Sequence, residues 1–125
     1  EKIKKFVSLY INRFYMNKDI YQIIQFKIIN QKRTSDFPSF NEIKQKNLEL
    51  LEKIISEGQN SGVFKSNCNT YLIPAIVVGT FSQIYNNKKF YFEMMNLNND
   101  QEFENYILND FTEEITNVIL GMLIK

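Results

Sequence analysis

From Asn99 to the end of the chain, Ile107, Leu108, Phe111, Ile115, Val118, Ile119 and Met122 follow one another at steps of one, three or four residues. A strand would send these residues to both of its faces, whereas an α-helix gathers them into one stripe, here about five turns long. Nothing elsewhere sustains an alternation of period two, and the 125 residues contain only two prolines and four glycines. The pattern predicts an all-α domain. A chain of this length makes one domain, residues 1–125, able to bury a single core. Its 44% apolar and 14% aromatic residues supply that core and exclude a disordered tail.

Upstream, Ile3, Phe6, Val7, Tyr10, Ile11 and Phe14 repeat the helical spacing, with Lys5, Ser8 and Asn12 opposite. This first helix breaks near Asn17, and Asn17 or Asp19 is suited to cap a second over residues 19–31. The second carries Ile20, Ile24 and Ile28 on one side and Ile23 and Phe26 on another, so a central place is expected. Residues 31–38 are polar and end in Phe-Pro, a loop signal. Ser39 and Glu42 then have the spacing of a capping box, opening a third helix that runs to Gly58 or Asn60. Its apolar face holds Ile43, Leu48, Leu50, Leu51, Ile54 and Ile55, and Asn47 falls in the middle of that face.

The stretch GQNSGVF, residues 58–64, spends two of the chain's glycines around a hydrophobic pair. Gly62 suits the left-handed position just past a helix end, with Val63 as the apolar residue folding back onto the last turn. Gly58 lies on the buried side and is expected to permit close helix contact, with Val63 and Phe64 plugging the gap. Ser66, Asn67 or Asn69 is placed to cap a fourth helix, starting near Asn69 or, to suit Pro74, nearer Tyr71. From Leu72 to Tyr85 almost every side of it is apolar, so burial nearly all round is expected. One stripe is small: Ala75, Gly79 and Ser82, continued by Asn86. The helix is expected to run on through Lys88 and Lys89 to about Met95, and Asn99 or Asp100 to cap the last one.

Composition removes several function classes. Fifteen basic residues balance fourteen acidic ones, so charge marks out no nucleic-acid or lipid surface. There is no histidine, the commonest general base and metal ligand. Cys68, the single cysteine, stands among asparagines as a poor nucleophile and fits a reducing, cytoplasmic compartment. Glu102, Glu104, Glu113 and Glu114 read as a solvated helix face. Gly58 and Gly62 lack the strand and third glycine of a phosphate loop. The longest apolar run, Leu72 to Gly79, is about half a membrane span. No enzyme, metal, cofactor or membrane partner is expected. The chain begins at Glu1 without a methionine, which reads as part of a longer protein.

The order of these features carries a resemblance. Ile55, Gly58, Gly62 and Phe64 at a helix end, then the buried "LIPAIVVGTFSQIY" with Gly79 near its middle, then an amphipathic final helix, together resemble the C-terminal half of TetR-like transcriptional regulators. The resemblance implies five main helices. It further implies that the last two, long ones form a four-helix bundle with those of a second subunit, while the helices before them enclose a small ligand. Nothing in the chain resembles the family's N-terminal helix-turn-helix head, so DNA binding is implied only through a head upstream.

On this footing the candidate ligand residues are the rings Phe6, Tyr10, Phe14 and Tyr21, the apolar Ile24, Leu51 and Ile84, and the polar Asn47, Thr80 and Gln83 on otherwise apolar faces. Candidate subunit contacts are Ala75, Gly79, Ser82 and Asn86 on the fourth helix and Phe111, Ile115, Val118 and Met122 on the last. The expected partners are a second copy of the chain and a small apolar or aromatic effector. The competing reading is a helical protein-interaction module, an adaptor or immunity-type bundle, with no small ligand.

Overall fold

A computed structural model of the chain describes residues 1–19 and 38–125. The second expected helix, the loop after it and the candidates Tyr21 and Ile24 lie outside the described residues. Within them the chain forms α1 (Lys2–Met16), α2 (Pro38–Asn60), α3 (Leu72–Asn86), α4 (Lys88–Met94) and α5, residues 100–123. The last runs as Asp100–Asn105, a wide π-helical turn Tyr106–Phe111 and Thr112–Leu123. The all-α expectation holds.

The core is built around α1. Ile3, Val7 and Ile11, at steps of four, are almost wholly buried, and so are Phe6, Phe14 and Tyr15. The helix packs chiefly against α5, and also against α2 and α3. It stops at Asn17, whose backbone and side-chain N–H groups both donate to the Arg13 carbonyl, at 3.2 and 2.9 Å. These bonds satisfy an orphan acceptor of the last turn.

Along α5 the buried apolar residues are Phe103, Ile107, Phe111, Ile115, Ile119 and Leu123, each four residues after the last. In a regular helix each such step overshoots one turn by about 40°, and the stripe would wind off the core within a few turns. The π-helical turn, with its wider i→i+5 spacing, takes up the excess midway. The Thr112 hydroxyl donates to the Ile107 carbonyl at 2.8 Å across that turn, and Thr116 donates to Thr112 O at 2.7 Å. Both threonines are buried with their hydroxyls satisfied. The sequence stripe foresaw the helix but not this register shift. It also included Val118, which is 53% exposed. Asn99 caps α5 as expected, its side chain accepting from Glu102 N–H at 2.9 Å.

The end of α2 follows the glycine signal closely. Gly62 has φ +81°, Gly62 N–H donates to Gln59 O and Val63 N–H to Gly58 O, both at 3.0 Å. This is the paired closure of a Schellman end. Two expectations need correction. Val63 is 52% exposed, and it is the buried Phe64 whose ring fills the gap at Gly58. Gly58 admits that ring and not a neighbouring helix: a Cβ there would lie 2.1 Å from Phe64 Cδ2. Beyond the turn, Lys65 N–H donates to Leu123 O at 2.7 Å and Lys125 N–H to Val63 O at 3.3 Å, an antiparallel bridge holding the chain's end against the α2–α3 hinge.

Other helix boundaries shift. Ser39 lies inside α2, not at its cap, since the helix includes Pro38. No side chain caps α3, which starts at Leu72 after turn bonds from Leu72 and Ile73 N–H to Asn69 and Thr70. That start leaves Pro74 in the first turn, where its missing N–H is harmless. The run from α3 to Met95 is broken at Asn87, so α4 is separate. It ends at Asn96 in the left-handed region, φ 56°, with Leu97 N–H donating to Phe92 O at 2.9 Å. Nor is α3 covered on all sides: Ile73, Val77 and Phe81 are buried, but Leu72, Ala75 and Gly79 are exposed in the single chain. Only its side toward α1 and the core is covered.

An aromatic cluster fastens these elements. Phe14 and Phe81 meet edge to face at 5.1 Å, Phe81 stacks on Tyr85 at 5.8 Å, and Phe92 approaches Phe103 at 5.5 Å. The Lys88 ammonium sits 5.1 Å from the Phe103 ring centre and 2.8 Å from Asp100 Oδ1, joining α4 to α5. Burial raises the Tyr15, Tyr85 and Tyr106 phenols above their ordinary range, helped by Glu104 and Asp100 at Tyr15, by Asp19 at Tyr85 and by Glu114 at Tyr106.

Two measurements follow. Gly58→Ala is expected to lower stability by about 1–3 kcal/mol through overpacking against Phe64, and Gly62→Ala by about 1–2 kcal/mol through its backbone alone; urea unfolding reads both. A phenol whose folded pKa is raised stabilises the fold fully below its unfolded value near 10 and loses that contribution as pH rises through the folded value. Absorbance at 295 nm is therefore expected to show these tyrosines ionising late, with stability falling over the same alkaline range.

Candidate functional site

Three helices leave a cleft between them. α1 contributes Phe6, Leu9, Tyr10, Arg13 and Phe14, α2 contributes Lys44, Asn47, Leu48 and Leu50, and the α3 side contributes Tyr71, Pro74, Ala75, Val78 and Gly79. The spacing explains the membership. Residues 6, 9, 10, 13 and 14, residues 44, 47 and 48, and residues 71, 74, 75, 78 and 79 are each an i, i+3, i+4 stripe, so one face of each helix looks inward. The enclosed volume is about 500 Å³, within the range of small-molecule sites.

The floor is apolar and firm. Phe6 and Phe14 are buried, Phe6 lies 5.6 Å from Tyr10 between ring centres, and Phe14 is held edge-on by Phe81. The mouth is open, with Leu9, Leu50 and the 70% exposed Tyr71 along its rim. Polar character comes from Tyr10, Arg13, Lys44 and Asn47, and no carboxylate stands among the described lining residues.

Of the residues expected to meet a ligand, Phe6, Tyr10, Phe14 and Asn47 line this cleft. Leu51 is wholly buried in the core instead. Thr80 turns its hydroxyl back to the Ile76 carbonyl of its own helix, Gln83 is exposed away from the cleft, and Ile84 packs on the core. A polar residue on an apolar helix face has a cheap local partner in the preceding turn, and Thr80 takes it.

The small stripe divides. Ala75 and Gly79, expected at a subunit junction, line the cleft, while Ser82 is half-buried and Asn86 exposed. On α5, Phe111 and Ile115 are buried inside the single chain at 3% and 8% exposure, and Val118 and the half-buried Met122 face outward. Leu9, Arg13, Lys44, Leu48, Leu50, Tyr71, Pro74 and Val78 were not foreseen as lining. The signal for them was present in part: all but Pro74 stand three or four residues from a residue that was named.

No group of metal-binding side chains comes together among the described residues, and none of their helices is long and apolar enough to cross a membrane. No curated protein and no solved structure gives a significant match to the chain. The family model described as the C-terminal region of YsiA-like proteins matches residues 1–120. Nearly the whole chain is thus covered by a non-enzymatic regulatory family, and the helical order read from the sequence agrees with it. The chain belongs to the TetR family of transcriptional regulators, as the C-terminal regulatory region of one of its YsiA-like members.

Proposed function

We propose that this chain is the effector-binding and dimerisation region of a TetR-like repressor, and that the cleft between α1, α2 and α3 receives a small, largely apolar effector. The observation that carries the reading is the convergence of three helical stripes on a cavity of about 500 Å³. A core helix rarely aims a second apolar face at open space without an occupant in view.

The mechanism is a population shift. α1 is both a wall of the cleft and the main packing partner of α5. An effector wedged against Phe6, Tyr10 and Phe14 favours one placement of α1 over another, and DNA-binding heads preceding α1 follow it. Their separation then no longer fits operator half-sites about one helical turn, some 34 Å, apart. The effector must bind the two placements unequally, since equal affinity shifts nothing.

The relay needs a second subunit. Val118 on α5 is 53% exposed, and Phe90 and Met94 on α4 are more exposed still. Large side chains left in water on neighbouring elements favour self-association, and a two-fold pair closes it most simply.

Sedimentation is expected to give twice the chain mass of 14.9 kDa, and Val118→Glu to give a monomer that stays folded by circular dichroism. A monomer at high concentration in the unaltered chain would favour the protein-interaction module instead. For the cleft, an effector at a hundredfold excess over its Kd is expected to stabilise the fold by about 2.7 kcal/mol. Ala75→Trp, placed at the open side of the cleft, is expected to abolish that gain while leaving the unliganded melting temperature near its original value.

A further inference from the structure

The chain's four glycines divide by what a side chain would meet at each. Gly58 leaves room for the Phe64 ring, and Gly62 holds a left-handed turn. Gly79 has neither reason. It stands at the middle of the 15-residue α3 in ordinary helical backbone, and no described atom lies within 4 Å of where its Cβ would be. A glycine inside a helix weakens it, because glycine loses more backbone freedom on folding than any other residue. Among the described residues nothing packs closely enough to account for that loss. What sets Gly79 apart is its outlook, for it lines the cleft. Gly121, whose Cβ position is equally open, lies on α5 and is not among the lining residues.

We propose, resting on the ligand-binding reading above, that the effector has a flat aromatic body lying against the bare α3 backbone at Gly79, and that Gly79 sets the largest body the cleft admits. Without a Cβ the main chain is open to close approach at this turn, a use to which glycine is put beside ligands. One turn earlier Ala75 adds only a methyl group, so this side of the cleft stays low. A flat ring touches such a wall over its whole face, whereas a puckered body of the same size touches it at fewer atoms, and dispersion contacts are counted atom by atom. The lining from α1 supplies Phe6, Tyr10 and Phe14, rings that an aromatic body meets edge-on or in offset stacking. Phe14 already meets the Phe81 ring edge to face at 5.1 Å, so the ring row of α1 reaches α3 two residues beyond Gly79.

The test uses N-phenyl-1-naphthylamine, a neutral aromatic probe whose fluorescence rises on leaving water, displaced by 2-naphthol or by decahydro-2-naphthol, which keeps the skeleton but is puckered. With the unaltered chain 2-naphthol is expected to displace the probe at a concentration about two- to tenfold lower than its saturated counterpart, the ratio a ring-on-ring contact supports. Along Gly79→Ala, Gly79→Val and Gly79→Leu the probe's affinity is expected to fall stepwise, by about tenfold at leucine. The single ring of 4-fluorophenol, followed by its fluorine resonance, is expected to bind every variant as it binds the unaltered chain. Gly79→Ala and Gly121→Ala are both expected to raise the melting temperature through alanine's helix preference, and only the first to weaken the probe. Probe affinity indifferent to residue 79, equal weakening by Gly121→Ala, no preference between the two naphthols, or a lower sedimentation mass for Gly79→Leu, which would place the residue at a subunit contact, would each overturn this inference while leaving the cleft a ligand site. Binding of none of these compounds to the unaltered chain would overturn the ligand-binding reading, and this inference with it.

Discussion

Everything in the described fold depends on α1 being buried on one face and employed on the next. Its Ile3, Val7 and Ile11 row seals the core against α5, the most extensive helix contact among the described residues. Burying one such side chain is worth about 1.5–3 kcal/mol, so the row is a large part of what keeps a domain of this size folded. The adjoining row, Phe6, Tyr10, Phe14, then has no free choice of direction. It must face whatever lies between α2 and α3. The cleft is therefore a consequence of core packing, and a shift of its wall is a shift of the core.

Around that helix the remaining elements are tied by local chemistry. The Schellman end of α2 reverses the chain within two residues, the Phe64 ring fills the space that Gly58 leaves, and the bridge from Lys65 to Leu123 brings the end of α5 back to that hinge. At the other end of α3, Tyr85, Phe92 and Phe103 surround the Lys88 ammonium, which Asp100 neutralises. These fastenings flank the cleft without closing it. Its opening is bordered by side chains with little else to hold them, Leu9, Leu50 and Tyr71, as a site that admits a ligand requires.

The family assignment and the geometry bear on different questions. A regulatory region of the TetR family needs a sensing site and a means of reaching distant DNA-binding heads. In the function proposed above, the cleft serves as the first and the double duty of α1 as the route for the second. Exposed Val118, Phe90 and Met94 stand away from the cleft, so pairing of subunits and binding of an effector would use separate surfaces joined through the same helices.

Much of this was legible in the sequence where the cause is local. Gly62 is in the left-handed region because a helix end of this type demands it, Asn99 caps because its carbonyl reaches the third N–H, and the α1 stripe needs only the helical period. The identity of what covers a stripe was not legible. Phe111 and Ile115 turn inward to their own chain, Ala75 and Gly79 look into a cleft, and Arg13 and Lys44, thirty-one residues apart, line that same cleft. Periodicity establishes that a face avoids water, and transfer from water is almost indifferent to whether the cover is another helix, a second subunit or a ligand. The sequence by itself determined the all-α class, the helix ends at Gly62 and Asn99 and the family; which faces meet, and so where a cavity is left and what lines it, was decided by tertiary packing, because only three-dimensional closure assigns each apolar face its neighbour.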